Sequence, residues 1–287
     1  LHYLMKNIKY LLQFFFVMFL FGIFKIIGLE NSKYLSGNIM TLLGPMFRSK
    51  KIIFSNLSKA FPNLDDLEKE KIIKKMWFNY GKIFSEYLFI KNIKESSNII
   101  IENQHILNNI KSKDEPVIFI SGHFSNFELM AMHIERSGID LAAIYRPLNN
   151  IFLNPLMEKI RKKHICKKQI KKGISGTKEI LRNFKNGASV ALMIDQRVSE
   201  GIKSKFFNKE AFTTTIPAQF VKKFGTTIVP VYIERKLDDN FKLTVYDPIK
   251  YKKEDSVELI TSNLNKVLEK MIIQNPDQWT WTHNRWK

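Results

Sequence analysis

The sequence predicts an α/β fold: a single domain with a largely parallel, mixed central sheet flanked by helices, plus an N-terminal hydrophobic anchor helix. Short apolar runs rich in β-branched residues alternate with longer stretches of helical periodicity through most of the 287 residues. No repeat, low-complexity linker or Pro/Gly hinge divides the chain after residue 40. We therefore predict a membrane anchor helix at 1–35 and one α/β domain at 36–287.

The anchor prediction depends on residues 10–24, which contain no charged side chain. This run is shorter than the ~20 residues of a spanning helix, but Lys25 can snorkel and extend it to about Leu29. The segment is therefore expected either to span the bilayer or to lie at its interface. No small-residue cleavage site follows it, which disfavours a cleaved signal peptide. Lys and Arg are more frequent after the segment than before it, which predicts a cytoplasmic position for the domain.

The net charge predicts an anionic partner. There are 46 Lys and Arg against 27 Asp and Glu, a formal charge of +19. No zinc-finger spacing, RNP pattern or helix-turn-helix is present, so no nucleic acid is expected. A basic face on anionic lipid explains both the charge and the anchor. The single cysteine, Cys166, allows no disulfide within the chain, and without a recognisable His–acid partner we do not expect it to be a nucleophile.

The elements of the domain follow from periodicity. The apolar runs predict strands at 116–121, 141–146, 189–195, 227–235 and 241–247. Helical spacing predicts helices at about 66–90, 126–136, 154–163, 176–185 and 255–274. In such a sheet ligands bind beyond the carboxyl ends of the strands, and His123 lies at one of these ends.

The stretch "ISGHFSNFELM" at 120–130 has three possible interpretations. As a helix cap, Ser125 and Glu128 form a capping box, which leaves His123 unexplained. As a metal site the spacing is wrong, because His-x4-Glu does not match paired-His motifs and His133 is expected to pack on the helix body. As an acid–base dyad, His123 lies in the loop and Glu128 in the first helical turn.

The dyad gives both side chains a chemical role. Glu128 then fixes the tautomer of His123 and stabilises the imidazolium that forms when His123 takes a proton. A hydroxyl activated in this way suits attack on a thioester, which needs no enzyme nucleophile.

Five blocks together resemble the bacterial lipid A biosynthesis (lauroyl/myristoyl) acyltransferase family, within the lysophospholipid-acyltransferase-like superfamily. In chain order they are "GHFSNFE", "IYRPLNN", "MIDQR", "FFNKEAFTTTIPAQFVKKFGTTIVPVYIER" and "NPDQWTWTHNRWK". The resemblance covers roughly residues 10–287. Three positions depart from it: Ser125 stands where the family usually has Gly, Asn208 where Gly or Ala is usual, and Ile216 where Gly is usual.

The resemblance implies a membrane-bound O-acyltransferase of the bacterial inner membrane. His123 is implied as the general base and Glu128 as its orienting partner. The implied donor is a thioester of acyl carrier protein or of coenzyme A, and the implied acceptor is a hydroxyl of an anionic glycolipid such as a lipid A precursor. Neither a metal nor another cofactor is expected.

Four further residues are candidates for substrate binding, each with a structural alternative. Arg146 suits a phosphate on either substrate, or an ion pair with a structural carboxylate. Asn126 suits an oxyanion donor, or an ordinary helix start. Asp195 and Arg197, at another strand end, suit the border of the acceptor site, or a structural pair. The tryptophans of the C-terminal tail, in which His283 also lies, suit interfacial anchors or core.

Other functions remain alternatives. The same dyad serves acylation of lysophosphatidate or of other phospho-, glyco- or amino-lipids. Outside the enzymes, a basic peripheral membrane protein with "GHFSNFE" as a capped loop also fits.

Overall fold

The computed structural model describes residues 2–96 and 98–287. The helices in this part of the chain are α1 His2–Phe47, α2 Lys50–Ala60, α3 Asp66–Glu86, α4 Ile90–Glu95, α5 Gln104–Lys113, α6 Glu128–Arg136, α7 Leu153–Ile160, α8 Ile174–Lys185, α9 Ile216–Phe224 and α10 Val257–Gln274. The strands are β1 Ile99–Glu102, β2 Ile118–Ser121, β3 Leu141–Tyr145, β4 Lys168–Lys171, β5 Ser189–Met193, β6 Ile202–Phe206, β7 Lys209–Thr213, β8 Ile228–Arg235 and β9 Phe241–Val245. A π-helical turn, Arg161–Ile165, follows α7.

Seven strands form the central sheet in the order β1-β9-β8-β2-β5-β3-β4. Every neighbouring pair is parallel except β8 and β9, which are antiparallel. Strands β6 and β7 form a separate antiparallel hairpin. The predicted α/β class, with a largely parallel mixed sheet and flanking helices, is confirmed.

The predicted elements of the domain are present with shifted ends. The stretch predicted as one helix at 66–90 ends as α3 at Glu86, and α4 follows it. Helix α3 begins at a reciprocal cap, in which Asp65 accepts from the Glu68 amide at 2.7 Å and Glu68 accepts from the Asp65 amide at 2.9 Å. Strands β1 and β4 were not predicted, because each is a four-residue edge strand with half-exposed side chains.

Helix α1 is broken at Gly28, which has φ 78° and ψ 174°. This backbone conformation is open to glycine and costly for other residues. The stretch Leu4–Phe47 is long and apolar enough to cross a membrane, and before the break most of its apolar side chains are exposed. The segment after the break continues to Phe47 and packs on α3, where Ser36 donates to the Gly81 carbonyl at 2.7 Å. The domain boundary at residue 35 lies within this second segment and stays a prediction.

The first segment of α1 also contacts the domain. Phe21 and Phe24 are buried against Phe84 of α3, with ring centroids 5.3 and 6.2 Å from it. Further up the helix, Asn150 donates to the carbonyl of Tyr10 at 2.8 Å. One face of the segment is therefore held by the domain, and the other faces carry exposed apolar side chains.

Candidate active site

His123 lies immediately beyond β2, where Gly122 lets two strand ends approach closely. A Cβ at Gly122 would lie 3.2 Å from the Cβ of Asp195 and 2.9 Å from the ring of Phe124. Asp195 follows β5, the parallel neighbour of β2, and the Ile194 amide donates to the Ser121 carbonyl at 2.9 Å. The carboxyl ends of the two strands thus bring the histidine and the aspartate together.

Asp195 holds His123 by both its backbone and its ring. The amide of His123 donates to Oδ2 at 2.8 Å, and Nδ1 lies 2.8 Å from Oδ1. Because a carboxylate only accepts, Nδ1 carries the proton and Nε2 keeps its lone pair. Within the described residues Nε2 has no hydrogen-bond partner, and it is open to the adjoining cavity. This is the geometry of a general base.

The C-terminal tail completes the environment of Asp195. The indole Nε1 of Trp279 donates to Oδ2 at 2.8 Å, and Trp279 is buried. The Ser125 amide donates to the Gln278 carbonyl at 2.8 Å, so the tail also fixes the loop after His123. Of the two possibilities that we considered for the tryptophans, Trp279 and Trp281 are core.

The charges in this pair stabilise each other. Burial alone would raise the pKa of Asp195, but the His123 charge and the hydrogen bonds from His123 and Trp279 lower it to about 2. Burial alone would lower the pKa of His123, but the Asp195 carboxylate, with a smaller contribution from Glu128, raises it above 6.5. The imidazolium formed by proton uptake is therefore stabilised.

Glu128 lies in the first turn of α6, as the sequence predicted, but its carboxylate is bound by residues other than His123. Its Oε1 accepts from Tyr87 Oη at 2.5 Å and from Arg161 Nε and Nη2 at 2.8 and 2.6 Å. Arg161 is brought there by the π-helical turn, a distortion that is frequent at functional sites. Oε2 of Glu128 has no partner among the described residues and is open to the cavity. The hydrogen bond that orients His123 thus comes from Asp195, and Glu128 acts on His123 across the site as a charge.

The capping-box interpretation of Ser125 and Glu128 is wrong. Helix α6 begins at Glu128, and Phe127 stands at its N-cap position without a side-chain cap. Ser125 has φ 43°, and its hydroxyl is buried without a partner. A residue in this left-handed conformation turns the loop so that the helix starts too late for Ser125 to cap it.

The cavity beside His123 has a volume of about 820 Å³. Its interior is mainly apolar, formed by side chains of the sheet and of α6 and α8, among them Phe119, Met130, Ile134, Ala143, Ile180, Ala191 and Val231. The lining also includes uncharged polar side chains and six cations, namely Arg48, Arg146, Arg161, Lys172, Arg197 and Lys287. The cavity can hold a ligand with a long apolar part and an anionic part.

Three of the remaining candidates lie as follows. Arg146 is exposed at the cavity and has no carboxylate within salt-bridge distance in the described part of the chain, so the alternative of a structural ion pair does not hold. Arg197 lines the cavity, and its guanidinium donates to the Ser199 hydroxyl and the Lys287 carbonyl at 3.0 Å each. Asp195 lies behind His123 rather than at the border of an acceptor site, because the imidazole and the indole cover it.

Asn126 is not among the residues that line the cavity. Its Nδ2 donates to Glu86 Oε2 at 2.9 Å, and Glu86 is paired with Arg235 in the interior. Its Oδ1 is buried without a partner. The structure therefore places Asn126 in the support of the loop, outside the lining of the cavity.

Four residues of the site carry no sequence pattern that marks them as site residues: Arg161, Tyr87, Trp279 and Lys172. Arg161 lies in the run "KIRKKH", where nothing in the sequence distinguishes one cation from its neighbours. Tyr87 belongs to an amphipathic helical stripe, which is typical of core, and the pattern around Trp279 predicts only an interfacial anchor or core. Cys166 is buried and its thiol donates to the Leu141 carbonyl at 3.1 Å; burial and nearby carboxylates raise its pKa to about 12, so it is not a nucleophile.

An imidazole with a fixed tautomer beside a mostly apolar cavity is an arrangement that can activate a hydroxyl next to a bound lipid. Residues 3–287 match the family model described as Bacterial lipid A biosynthesis acyltransferase. The chain belongs to this family and is an acyltransferase of lipid A biosynthesis.

The curated relatives agree. The chain is 25% identical over 254 residues to a lipid A biosynthesis lauroyltransferase of Escherichia coli strain K12, an alignment that covers 84% of this chain and 80% of the relative. It is 24% identical over 248 residues to a lipid A biosynthesis palmitoleoyltransferase of the same strain and to a lipid A biosynthesis acyltransferase of Shigella flexneri, with 84% of this chain and 79% of each relative covered.

Proposed function

We propose that this chain transfers a fatty acyl group from an acyl carrier protein thioester to a hydroxyl of a lipid A precursor or a similar anionic glycolipid. The observation that carries the proposal is His123, held by Asp195 with Nε2 open to the cavity. The names of the curated relatives support the same acceptor class.

The chemistry follows from the tautomer. Nε2 of His123 takes the proton of the acceptor hydroxyl as its oxygen attacks the thioester carbonyl. The tetrahedral intermediate collapses with cleavage of the C–S bond, and the thiolate leaves. The proton on Nε2 then passes to the thiolate sulfur, which regenerates the base. Asp195 stays ionised throughout and stabilises the imidazolium.

Glu128 is proposed as the second catalytic carboxylate. Its free Oε2 faces the cavity, and its charge favours the protonated form of His123. Arg161 and Tyr87 fix the carboxylate through Oε1. This arrangement lets Oε2 accept a hydrogen bond from a second hydroxyl of the acceptor and orient the sugar.

Cations support an anionic acceptor. Arg48, Arg146 and Lys172 line the cavity without a carboxylate partner in the portion of the chain that the structure describes. Phosphate groups are the ligands that such unpaired cations bind best, and Arg146 is the proposed main contact. Both proposed substrates carry phosphate, since the carrier protein holds its thioester on phosphopantetheine.

The membrane position is part of the proposal. The exposed apolar faces of α1 before Gly28 are proposed to contact the lipid of the bacterial inner membrane, with the domain on the cytoplasmic side. The apolar interior of the cavity is proposed to hold the acyl chain.

The test is reconstitution in vesicles that contain a lipid A precursor, with acyl carrier protein thioester as donor and mass spectrometry of the lipids. We expect wild type to add one acyl chain and His123→Ala to lose about 10³-fold in rate. His105→Ala, on the exposed face of α5, is the matched control and keeps full rate. Acyl transfer by His123→Ala at the wild-type rate would contradict the proposal.

The same assay separates the alternatives. Faster transfer from acyl coenzyme A than from the carrier protein would contradict the proposed donor. Transfer to lysophosphatidate with none to the lipid A precursor would contradict the proposed acceptor.

A further inference from the structure

We propose that His283 is a second catalytic histidine, which donates a hydrogen bond from Nδ1 to the thioester carbonyl oxygen as that oxygen becomes negatively charged. This role rests on the proposed acyl transfer. His283 lines the same cavity as His123 and comes from the C-terminal tail, which crosses the loop after β2.

The tautomer of His283 is set by a backbone amide. The N–H of Arg197 points at Nε2 of His283, at 3.0 Å. An amide N–H only donates, so Nε2 is the acceptor, and the proton of the neutral ring is on Nδ1. His283 therefore has the tautomer of His123, but the nitrogen that is engaged by the protein is the opposite one.

Nδ1 of His283 is available to a ligand. It makes no hydrogen bond with any residue that the structure describes, and it is not among the polar atoms sealed in the interior. Since the residue lines the cavity, a donor N–H is left open to it. His123 presents a lone pair to the cavity and His283 presents a proton, which are the two groups that attack on a carbonyl requires.

The electrostatics favour this division of roles. Burial lowers the pKa of His283; Asp195 raises it in part, while Arg285, His123 and Lys172 lower it further. The net shift is downward, whereas the pKa of His123 is raised. Opposite shifts of two neighbouring titratable groups keep one neutral while the other takes the proton.

The backbone of His283 is fixed on both sides. Its carbonyl accepts from the buried Asn56 Nδ2 at 2.7 Å and from the Arg285 amide at 2.9 Å. Three residues earlier, Thr280 donates to the His123 carbonyl at 3.3 Å. A donor held by such contacts needs little reorganisation when charge develops.

The proton balance involves His123 alone. His283 keeps its Nδ1 proton and only shares it in a hydrogen bond with the carbonyl oxygen. When the C–S bond breaks, the carbonyl double bond returns and that hydrogen bond weakens. The proton taken from the acceptor hydroxyl goes from His123 to the thiolate.

The first test compares His283→Asn with His283→Gln. The amide nitrogen of Asn lies where Nδ1 lies, whereas that of Gln reaches toward Nε2. We expect His283→Asn to keep kcat within about tenfold, and His283→Gln to lose about 10²-fold in kcat with KM unchanged. Equal losses in the two variants, or a loss confined to KM, would overturn the role.

The second test does not depend on activity. In ¹⁵N NMR of the full chain with labelled histidine, His283→Asn assigns the signal, and at pH 7 we expect a protonated Nδ1 and an unprotonated Nε2. The opposite tautomer would overturn the inference even if acyl transfer is confirmed. Absence of any acyl transfer by wild type would instead overturn the proposed function, and the catalytic role with it, whatever the tautomer.

Discussion

Two buried carboxylates, Asp195 and Glu128, lie near His123, and they are held in different ways. Asp195 accepts hydrogen bonds from three groups, none of them permanently charged: the imidazole of His123, the amide of His123 and the indole of Trp279. Glu128 sits opposite a permanent cation, Arg161, with a phenol beside it. One carboxylate is thus coupled to a group that gains and loses a proton, and the other to a group that stays charged.

This difference shows that the spacing of the His-x4-Glu motif determines where Glu128 lies but not which residue binds its carboxylate. His-x4-Glu brings Glu128 to the start of α6, close enough to act on His123 as a charge. Its carboxylate is bound by Arg161, whose Nε and Nη2 both donate to Oε1 in charge-assisted hydrogen bonds. The carboxylate that orients His123 is instead that of Asp195, which lies beyond the end of β5, the parallel neighbour of β2.

The largest expected effect is that of Asp195→Asn. The amide leaves the imidazole without its anionic partner and favours the wrong tautomer, so we expect kcat to fall about 10³-fold or more. Steady-state kinetics in vesicles measure this loss. Asp140→Asn, at an exposed position paired with Lys168, is the control and keeps full activity. Wild-type activity in Asp195→Asn would show that Asp195 is not the carboxylate on which His123 depends.

The pH dependence of kcat/KM also tests whether Asp195 is the carboxylate coupled to His123. His123 acts as a base only when neutral, and its pKa is raised above 6.5, so wild-type kcat/KM rises with pH through that raised value and then levels. In Asp195→Asn burial dominates and lowers the pKa of His123. The residual activity therefore reaches its plateau at lower pH than in wild type. If kcat/KM of the variant rose at higher pH than in wild type, the negative charge assigned to Asp195 would be contradicted.

A smaller loss of activity is expected for Glu128→Gln. The variant removes the charge that favours the His123 imidazolium and leaves Arg161 buried without an anion. We expect kcat to fall about 10²-fold and the free energy of unfolding to fall by about 3 kcal/mol. Denaturant titration and kinetics measure the two effects separately, with Glu95→Gln on the exposed face of α4 as control. Full activity would show that Glu128 serves only the fold.

Tyr87→Phe is expected to lower activity less than Asp195→Asn or Glu128→Gln. It removes one donor to Glu128 Oε1 and leaves both Arg161 donors in place. We expect a loss of about 1.5 kcal/mol in stability and a few-fold loss in kcat. Tyr34→Phe, whose ring is exposed, is the matched control. A loss as large as that of Glu128→Gln would mean that the phenol, not the cation, holds the carboxylate.

The smallest expected effect, that of Ser125→Gly, is a gain in stability. Ser125 has φ 43° and a buried hydroxyl without a partner, so Ser125→Gly relieves backbone strain and removes an unsatisfied group. We expect the variant to be about 1 kcal/mol more stable, measured by thermal unfolding, with unchanged kcat. A destabilised variant would mean that the loop gains from Ser125 in a way that its contacts do not reveal.

The sequence was sufficient for the fold class and for the strand end that carries the base, because both depend on local periodicity. It named Asp195 from a strand end but could not pair it with His123, since the contact joins residues 72 positions apart. Arg161 escaped notice because a π-helical turn, not a residue pattern, directs it inward. Ser125 was assigned to a cap because the capping rule assumes a helix that starts earlier than α6 does.

The tail that covers Asp195 links catalysis to the order in which the chain is made. Thr280 and His123 are 157 positions apart, yet the carbonyl of His123 is bound by that threonine and Asp195 is covered by Trp279. While the ribosome is still making the last helix, the sheet can bring His123 and Asp195 together, but the indole and the threonine that cover this pair are not yet in place. We therefore expect a polypeptide released before Gln278 to be inactive, because the cover of Asp195 and the support of the loop after His123 come from the tail.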